Sequence, residues 1–438
     1  MLKFFLWFRY LSRKRIVFLS VAAVGLSTTL LIVVSSLFTG FIEAFEQSAV
    51  DIMGDVIVAP PIRFAKYPQF IKELQQTSAV QAATATLNGQ GLLFLGKGNI
   101  RGVTVLGIEP EGRASVTGFK NALRKQKTAS ALPTFNTQTS EDKTGGFVGI
   151  GVLATPDEKT DEYDYNAVDD MIGKQVVLIT AASQKLKRKN IPFTITDVVF
   201  SGVYELDKTF IYLPIEKMQT ALFPDESGQI ATQIQIKLDA DVSIESALAQ
   251  IRGVWSSFAE QQLGWSPYLI KETIITTSRQ MQSQQIAEFR KQMGILMLIF
   301  GIISCSVILL ILCILYMIVE TKLKDIAIIK SCGAADMSAA LIFIGFGACV
   351  GVIGSGLGMI FGYLITRNIN VIEGWIRVIF GLKLWKSSVY MFSKIPNQMD
   401  WNSVLPIVLW SIAAAVIGAL IPAVVAIRTK PVHILRYE

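Results

Sequence analysis

Four stretches of this chain, residues 16–40, 293–319, 337–366 and 401–427, contain no Asp, Glu, Lys, Arg or His. Each is longer than the roughly 20 residues of helix that cross a hydrocarbon layer of about 30 Å. No water reaches the backbone inside that layer, so an apolar run must close its hydrogen bonds within itself, as a helix. The whole chain agrees, with 51% hydrophobic and only 17% charged residues among 438. The first run follows Arg13, Lys14 and Arg15, as a secretory signal would. It outlasts the roughly 7–15 residues of a signal core and no A-x-A site follows it, so it reads as a retained span.

The formal charge of +7 could suit nucleic acid or an anionic membrane surface. Position decides for the membrane. Lys3, Arg9, Arg13, Lys14 and Arg15 precede the first span, Lys322, Lys324 and Lys330 lie between the second and third, and Arg428, Lys430 and Arg436 follow the last. By the bias of Lys and Arg toward the cytoplasm, both termini are expected there. Arg367, Arg377, Lys383, Lys386 and Lys394, between the third and fourth spans, run against the rule; the larger number of segments still favours this orientation. The expected localisation is a cell membrane crossed several times.

The layout is then a basic cytoplasmic segment (1–15), a transmembrane helix (16–40), a large external domain with stalk helices at both ends (41–290), a second span (291–319), a cytoplasmic helix (320–336), a third span (337–366), an external loop (367–400), a fourth span (401–427) and a cytoplasmic tail (428–438). In the domain, alternating apolar residues broken by Gly, Pro and polar clusters predict strands at 55–58, 102–108, 175–180, 193–203, 209–213 and 230–238. Helical spacing appears at 68–76, 215–222 and 244–254, which makes the domain α+β. Residues 124–144 and 154–170 show neither period and read as surface insertions. The expected fold class is an α-helical membrane protein with four transmembrane helices and a large extracytoplasmic α+β domain inserted between the first and second. Apolar stripes at Phe41, Phe45, Ala49 and Ile52, and at Met281, Ile286, Phe289 and Met293, extend both neighbouring spans outward as amphipathic stalks. Such stripes serve packing of stalk on stalk or on the domain, or else an apolar mouth for a lipid-like substrate.

Chemistry is sparse. Cys305, Cys313, Cys332 and Cys349 all fall in spans or in the cytoplasmic helix, so the external domain is expected to fold without a disulfide or a thiolate zinc site. The single histidine, His433, sits in the tail, which excludes Ser-His-Asp, Cys-His and histidine-metal constellations outside the membrane. Gly91, Gly96 and Lys97 match G-x-x-x-x-G-K, but Gly98 stands where a phosphate loop needs Ser or Thr. Transporters driven by ion gradients place ionisable groups within their spans; these four spans have none, so energy is expected to arrive mechanically from a partner.

Gly347, Gly351, Gly354, Gly358 and Gly362 form a small-residue ridge on the third span, with Ala414 and Gly418 on the fourth, a pattern of close helix packing. Residues 320–336 combine charges with an apolar stripe of Leu323, Ile326, Ala327 and Ile329, either a helix lying in the headgroup layer or a lever on which an ATPase pushes.

Here a resemblance enters. The segment Thr321-Lys-Leu-Lys-Asp-Ile-Ala-Ile-Ile-Lys-Ser-Cys-Gly-Ala334 resembles the coupling helix of MacB/FtsX-like permeases. Arg9-Tyr-Leu, 33–41, Gly107-Ile-Glu-Pro110 and 422–438 extend the likeness along nearly the whole chain. Ser201-Gly-Val-Tyr-Glu-Leu-Asp-Lys-Thr-Phe-Ile-Tyr-Leu213 and Val389-Tyr-Met-Phe-Ser-Lys-Ile-Pro396 are similar to the lipoprotein-releasing permeases of the LolC/LolE type.

The resemblance implies a non-catalytic membrane subunit of an ABC transporter that extracts lipoproteins for a periplasmic carrier. It implies no cofactor on this chain, with ATP and Mg on the partner. The implied partners are a LolD-like cytoplasmic ATPase, a second permease chain, identical or related, a LolA-like carrier, lipoprotein and lipid, and no nucleic acid. Coupling to the ATPase would fall on Thr321, Lys322, Lys324, Asp325, Ile326, Ile328, Ile329, Lys330, Gly333 and Ala334. Acyl chains would enter between the first and second spans, against Leu37, Phe38, Phe41, Met293 and Leu296. Where a LolC-type chain carries an extended carrier-binding hook, this one has a short basic loop, 184–192. Its Lys185, Lys187, Arg188 and Lys189 are candidate carrier contacts or plain solvated surface. Two other readings stand beside this one: a MacB-like efflux permease, and an FtsX-like mechanotransmission subunit without lipoprotein cargo.

Overall fold

The computed structural model describes residues 15–96, 98–136, 144–157, 160–181, 188–224, 229–321, 327–328, 330–331, 335–381, 383–387 and 392–428. In chain order the elements used below are α1 (Arg15–Met53), β1 (Val56–Ala59), α2 (Tyr67–Gln75), β2 (Val80–Phe94), β3 (Ile100–Ile108), α3 (Pro110–Val116), β4 (Gly145–Gly149), β5 (Gln175–Ala181), β6 (Arg188–Val199), α4 (Tyr204–Thr209), β7 (Phe210–Pro214), α5 (Ile215–Leu222), β8 (Gln233–Leu238), α6 (Ile244–Gln261), β9 (Ile274–Thr277), α7 (Ser283–Thr321), α8 (Asp336–Arg367), α9 (Ile369–Phe380) and α10 (Trp401–Arg428). They form two compact units. One comprises Met1–Glu43, Ala287–Ile372 and Ile395–Glu438, the other Ala44–Ile286 and Glu373–Lys394.

In the helical unit, α1, α7, α8 and α10 are each long and apolar enough to cross a membrane. The glycine ridge of α8 is divided between two partners. A Cβ on Gly347 or Gly351 would lie 2.5 Å from Ala419 Cβ or 3.0 Å from Ala415 Cβ, both on α10. On Gly354, Gly358 or Gly362 it would meet Val24 Cβ at 2.7 Å, the Gly25 carbonyl at 2.7 Å or Ile32 Cγ2 at 2.9 Å, all on α1. Only glycine allows backbones so close, and close backbones let hydroxyls reach across: Thr29 Oγ1 donates to the Gly358 carbonyl at 3.1 Å, and Thr28 Oγ1 and Ser411 Oγ form a 2.9 Å hydrogen bond.

The second unit is a nine-stranded mixed sheet, ordered β3-β7-β4-β6-β5-β2-β8-β1-β9, in which β2 also pairs with β3. Strands β2, β3, β7, β4, β6 and β5 thus close into a ring. Strand β2 makes the closure because it serves two neighbourhoods: Val80 to Thr86 runs antiparallel to β8, and Thr86 to Phe94 runs along β3. Its glycines mark close approach. A Cβ on Gly91 would lie 2.7 Å from the Ile179 carbonyl of β5, and one on Gly89 3.1 Å from Met218 of α5. Over the β8 side, Phe70 of α2 and Trp255 and Phe258 of α6 are buried together with Phe64, ring centroids 5.0–6.5 Å apart. Each such aromatic pair adds about 0.5–1.5 kcal/mol beyond its buried area.

The structure corrects the sequence reading in four places. Strands β2, β4 and β9 were not expected. Residues 188–192, read as part of a basic loop, belong to β6 and pair with β5, Arg188 opposite Ala181 and Lys189 opposite Thr180. Residues 154–170 are anchored: the guanidinium of Arg124 grips Asp169 through two bonds of 2.7 Å, and the buried Asp161 accepts from the Ser387 amide and hydroxyl, both at 2.7 Å. The segment between α8 and α10 is more than a loop, since it contains α9 and its residues Glu373–Lys394 belong to the sheet unit.

Candidate functional site

Two features of the sheet unit bear on what the long helices can do. The first is where they attach. Strand β1 follows α1 through Gly54, whose φ of +74° makes the turn, and β9 leads toward α7 through the short helix Ser278–Met281. These two strands pair antiparallel at one edge of the sheet, Val56 opposite Thr277. Ser278 completes the joint, its amide donating to the Asp55 carbonyl at 3.0 Å and its hydroxyl to the Gly54 carbonyl at 2.5 Å. The two stalk ends are therefore clamped to adjacent strands. Met281, which the sequence reading put on the second stalk, lies in that short helix and not in α7.

Arg113 of α3 reinforces the first attachment. Its guanidinium is buried, donating to the Ile52 carbonyl at 3.0 Å and to Gln235 Oε1 at 3.2 Å, and lies 5.5 and 5.6 Å from the ring centroids of Phe119 and Tyr212. Burial lowers its pKa, and burial pushes the Tyr212 hydroxyl up to about 12. The Gly118 amide adds a 3.0 Å bond to the Asp51 carbonyl. The arrangement fastens the last turn of α1 to the sheet.

The second feature joins the two motifs that singled out the LolC/LolE branch. Val203 forms an antiparallel bridge with Phe392, so the Ser201–Leu213 stretch meets the 389–396 stretch. Within the first motif, Asp207 closes a turn. Its carboxylate accepts from the Ser201 amide at 2.7 Å, the Ser201 hydroxyl at 2.8 Å and the Gly202 amide at 3.1 Å. Burial raises its pKa to about 6, partly offset by these hydrogen bonds. Val203, Leu206, Phe392, Tyr212 and Arg113 line one half-open cavity of about 210 Å³. Sequence reasoning identified both motifs but had no signal that they touch.

In the helical unit, one of the expected acyl-chain residues, Phe41, marks a meeting of two long helices. Phe41 meets Phe289 edge to face, centroids 5.1 Å apart at 88°, which joins α1 to α7. Leu37, Phe38, Phe41, Met293 and Leu296 are all half-buried. Around them α7 leaves Ile295, Leu298 and Ile302 62–64% exposed, while farther along it Ile311, Ile314 and Val319 are buried.

Of the expected coupling residues, Thr321 ends α7, Ile328 is exposed, and Lys330 Nζ donates to the Ile427 carbonyl of α10 at 2.8 Å. Lys322, Lys324, Asp325, Ile326, Ile329, Gly333 and Ala334 lie outside the described residues, as do Lys185 and Lys187. Arg188 and Lys189 are exposed at the start of β6. Among the described residues, no group of His, Cys, Asp or Glu is arranged to hold a metal ion.

Comparison with known proteins agrees with this architecture. Residues 17–254 match the family described as MacB-like periplasmic core domain, and residues 285–431 match FtsX-like permease C-terminal. The chain is similar to the lipoprotein-releasing system transmembrane protein LolC of Neisseria meningitidis serogroup B, 24% identical over 452 residues and 98% of each chain. It is 27% identical to LolC of Xylella fastidiosa over 278 residues, 61% of each chain. It is 23% identical to LolE of Haemophilus influenzae over 428 residues, 95% of this chain and 93% of the other. With a periplasmic core domain of the MacB kind and apolar helices of the FtsX kind in one polypeptide, the chain belongs to the MacB/FtsX-like permeases and, within them, to the LolC/LolE type.

Proposed function

We propose that this chain is the membrane subunit of an ABC transporter that extracts lipoproteins from the inner membrane and passes them to a periplasmic carrier. The geometric observation that carries the reading is the Phe41–Phe289 junction, an apolar meeting of α1 and α7 beside an open, lipid-like surface on α7. Full-length similarity to proteins named for lipoprotein release supports the cargo class.

In this reading four helices span the membrane, both termini are cytoplasmic, and the sheet domain is periplasmic. ATP and Mg stay on a LolD-like partner, which docks on residues 321–334, and a second permease chain, identical or related, completes the pathway. Acyl chains of the cargo lie against Leu37, Phe38, Phe41, Met293 and Leu296. Moving each methylene of a chain from such a surface into water costs about 0.8 kcal/mol, so release needs work. Nucleotide-driven motion of α1 and α7 supplies it: because both helices are clamped to paired strands, their displacement is carried into the domain that hands cargo to a LolA-like carrier, with Arg188 and Lys189 among the surface residues available to it.

The test is reconstitution of the chain with its ATPase in proteoliposomes holding a triacylated lipoprotein, with photo-crosslinkers at Met293 and Leu296. Crosslinks to the acylated N-terminus, and ATP-dependent release that is lost on replacing Ile326 with Asp, support the proposal. ATP hydrolysis with neither crosslink nor release sinks it in favour of efflux or mechanotransmission.

A further inference from the structure

Helix α9 is amphipathic with its apolar side outward. Val371, Trp375, Val378 and Ile379 recur at helical spacing and are 54–81% exposed, followed by Phe380 and Leu384 at 68% and 59%. Its charged residues turn the other way. Arg377 donates to Glu162 at 2.8 Å, and Glu373 is half-buried. Just past the helix, Lys383 lies 3.5 Å from Asp161. A surface helix in water shows the opposite order, polar residues out and apolar ones in. So contiguous an apolar face belongs against something non-aqueous.

We propose that this face is seated in the headgroup–acyl boundary of the lipid leaflet at which α8 ends, with glycerophospholipid as its partner. Chain continuity argues for lipid. Span α8 ends at Arg367, α9 begins at Ile369, and only Asn368 separates them, so α9 starts where the hydrocarbon stops. Composition agrees: a central Trp among Val, Ile and Phe suits the interface, where the indole ring lies in hydrocarbon and its N–H in the headgroup layer. The helix then stops at Gly381, whose φ of +65° turns the chain toward Lys383, Lys386 and Ser387, and Ser387 and Lys383 reach the Asp161 carboxylate. Helix α9 thus acts as a strut with one side in lipid and the other fixed by ion pairs to the sheet domain. The inference rests on membrane residence of α8 and is independent of the cargo.

The experiment uses the full-length chain with its four cysteines replaced by alanine, reconstituted in vesicles of phosphatidylethanolamine with a minority of phosphatidylglycerol. An environment-sensitive fluorophore is placed on Val378→Cys or Ile379→Cys, one at a time. Ile302→Cys, exposed on α7, is the lipid-facing control, and Tyr268→Cys, exposed on the sheet domain, the aqueous one. The expected result is a blue-shifted spectrum at Val378 and Ile379, quenched by nitroxide lipids to an extent comparable with Ile302, and more by a label near the headgroup than by one deep in the chain. Quenching by aqueous iodide comparable with Tyr268 overturns the proposal, since the face is then in water. Protection from both quenchers also overturns it, since protein then covers the face.

Discussion

Helices α7 and α8 are both long, apolar and free of charge along their central lengths, yet they are built for different neighbours. Helix α7 is the richer in Ile and Leu and leaves a row of them uncovered, with Ile295, Leu298, Ile302 and Leu309 all more than 60% exposed. Helix α8 gives up side-chain bulk along one stripe of glycines, and that stripe is where α1 and α10 pack. In water the more apolar helix would be the better buried. In a bilayer the tails are as apolar as leucine, so hydrophobicity gives no reason for helices to associate, and van der Waals fit and hydrogen bonds decide. Bulk marks surface left to lipid, and its absence marks protein contact.

The most damaging test of this contrast is Gly358→Leu. Its Cβ would lie 2.7 Å from both the Gly25 carbonyl and Thr28 Cβ, and backbone has little room to yield. Overpacking typically costs about 1–3 kcal/mol, and an obstacle of backbone belongs at or above the upper end. The variant is expected to lose monodispersity in detergent and to unfold at clearly lower temperature; an unchanged melting curve would break the comparison.

A test of similar size asks whether tight packing has the same signature away from lipid. Asp207 is buried in the sheet domain and its pKa is raised to about 6 in the folded state. A carboxyl raised above its unfolded value of about 3.9 favours folding when protonated, by roughly 3 kcal/mol. That contribution is complete below about pH 4 and is lost as pH rises through about 6. Hydrogen exchange at the Ser201 and Gly202 amides is expected to show local protection, corrected for intrinsic rates, falling across this interval. Asp207→Asn should flatten the dependence.

Much of this was legible in the sequence, and the failures have physical causes. The four apolar helices follow from the length of uncharged runs, and α5 and α6 from helical spacing at Ile215, Met218 and Leu222 and at Ala247, Leu248 and Ile251, although α6 runs on past the expected 254 to Gln261. Strand β2 was missed because Ala, Thr, Asn and Gly make up much of it; Gly89 and Gly91 are the places where α5 and β5 come too close for a side chain. Residues 373–394 read as an external loop because their anchors, Asp161 and Glu162, are distant in sequence and sit in an insertion without period. The expected acyl-chain residues rest on the resemblance and on the apolar character of the two spans; that Phe41 meets Phe289 needed the fold.

Finer tests sharpen the comparison. Thr28→Val on α1 removes the 2.9 Å bond to Ser411, where α1 and α10 meet against α8. Interhelical bonds of this kind contribute about 1 kcal/mol, and a cycle with Ser411→Ala isolates that coupling from the hydroxyl's local bond to the Val24 carbonyl.

The smallest effect should come from Gly301→Ala on α7. Nothing lies within 4 Å of where its Cβ would sit, in contrast with Gly358. Without a packing cost, the helix preference for Ala over Gly remains, a gain of up to about 1 kcal/mol in water. A thermal midpoint equal to or slightly above that of the parent chain is therefore expected. Clear destabilisation would mean that α7 has a protein neighbour at Gly301 that the isolated chain does not show, and the second permease chain proposed above would be the first place to look.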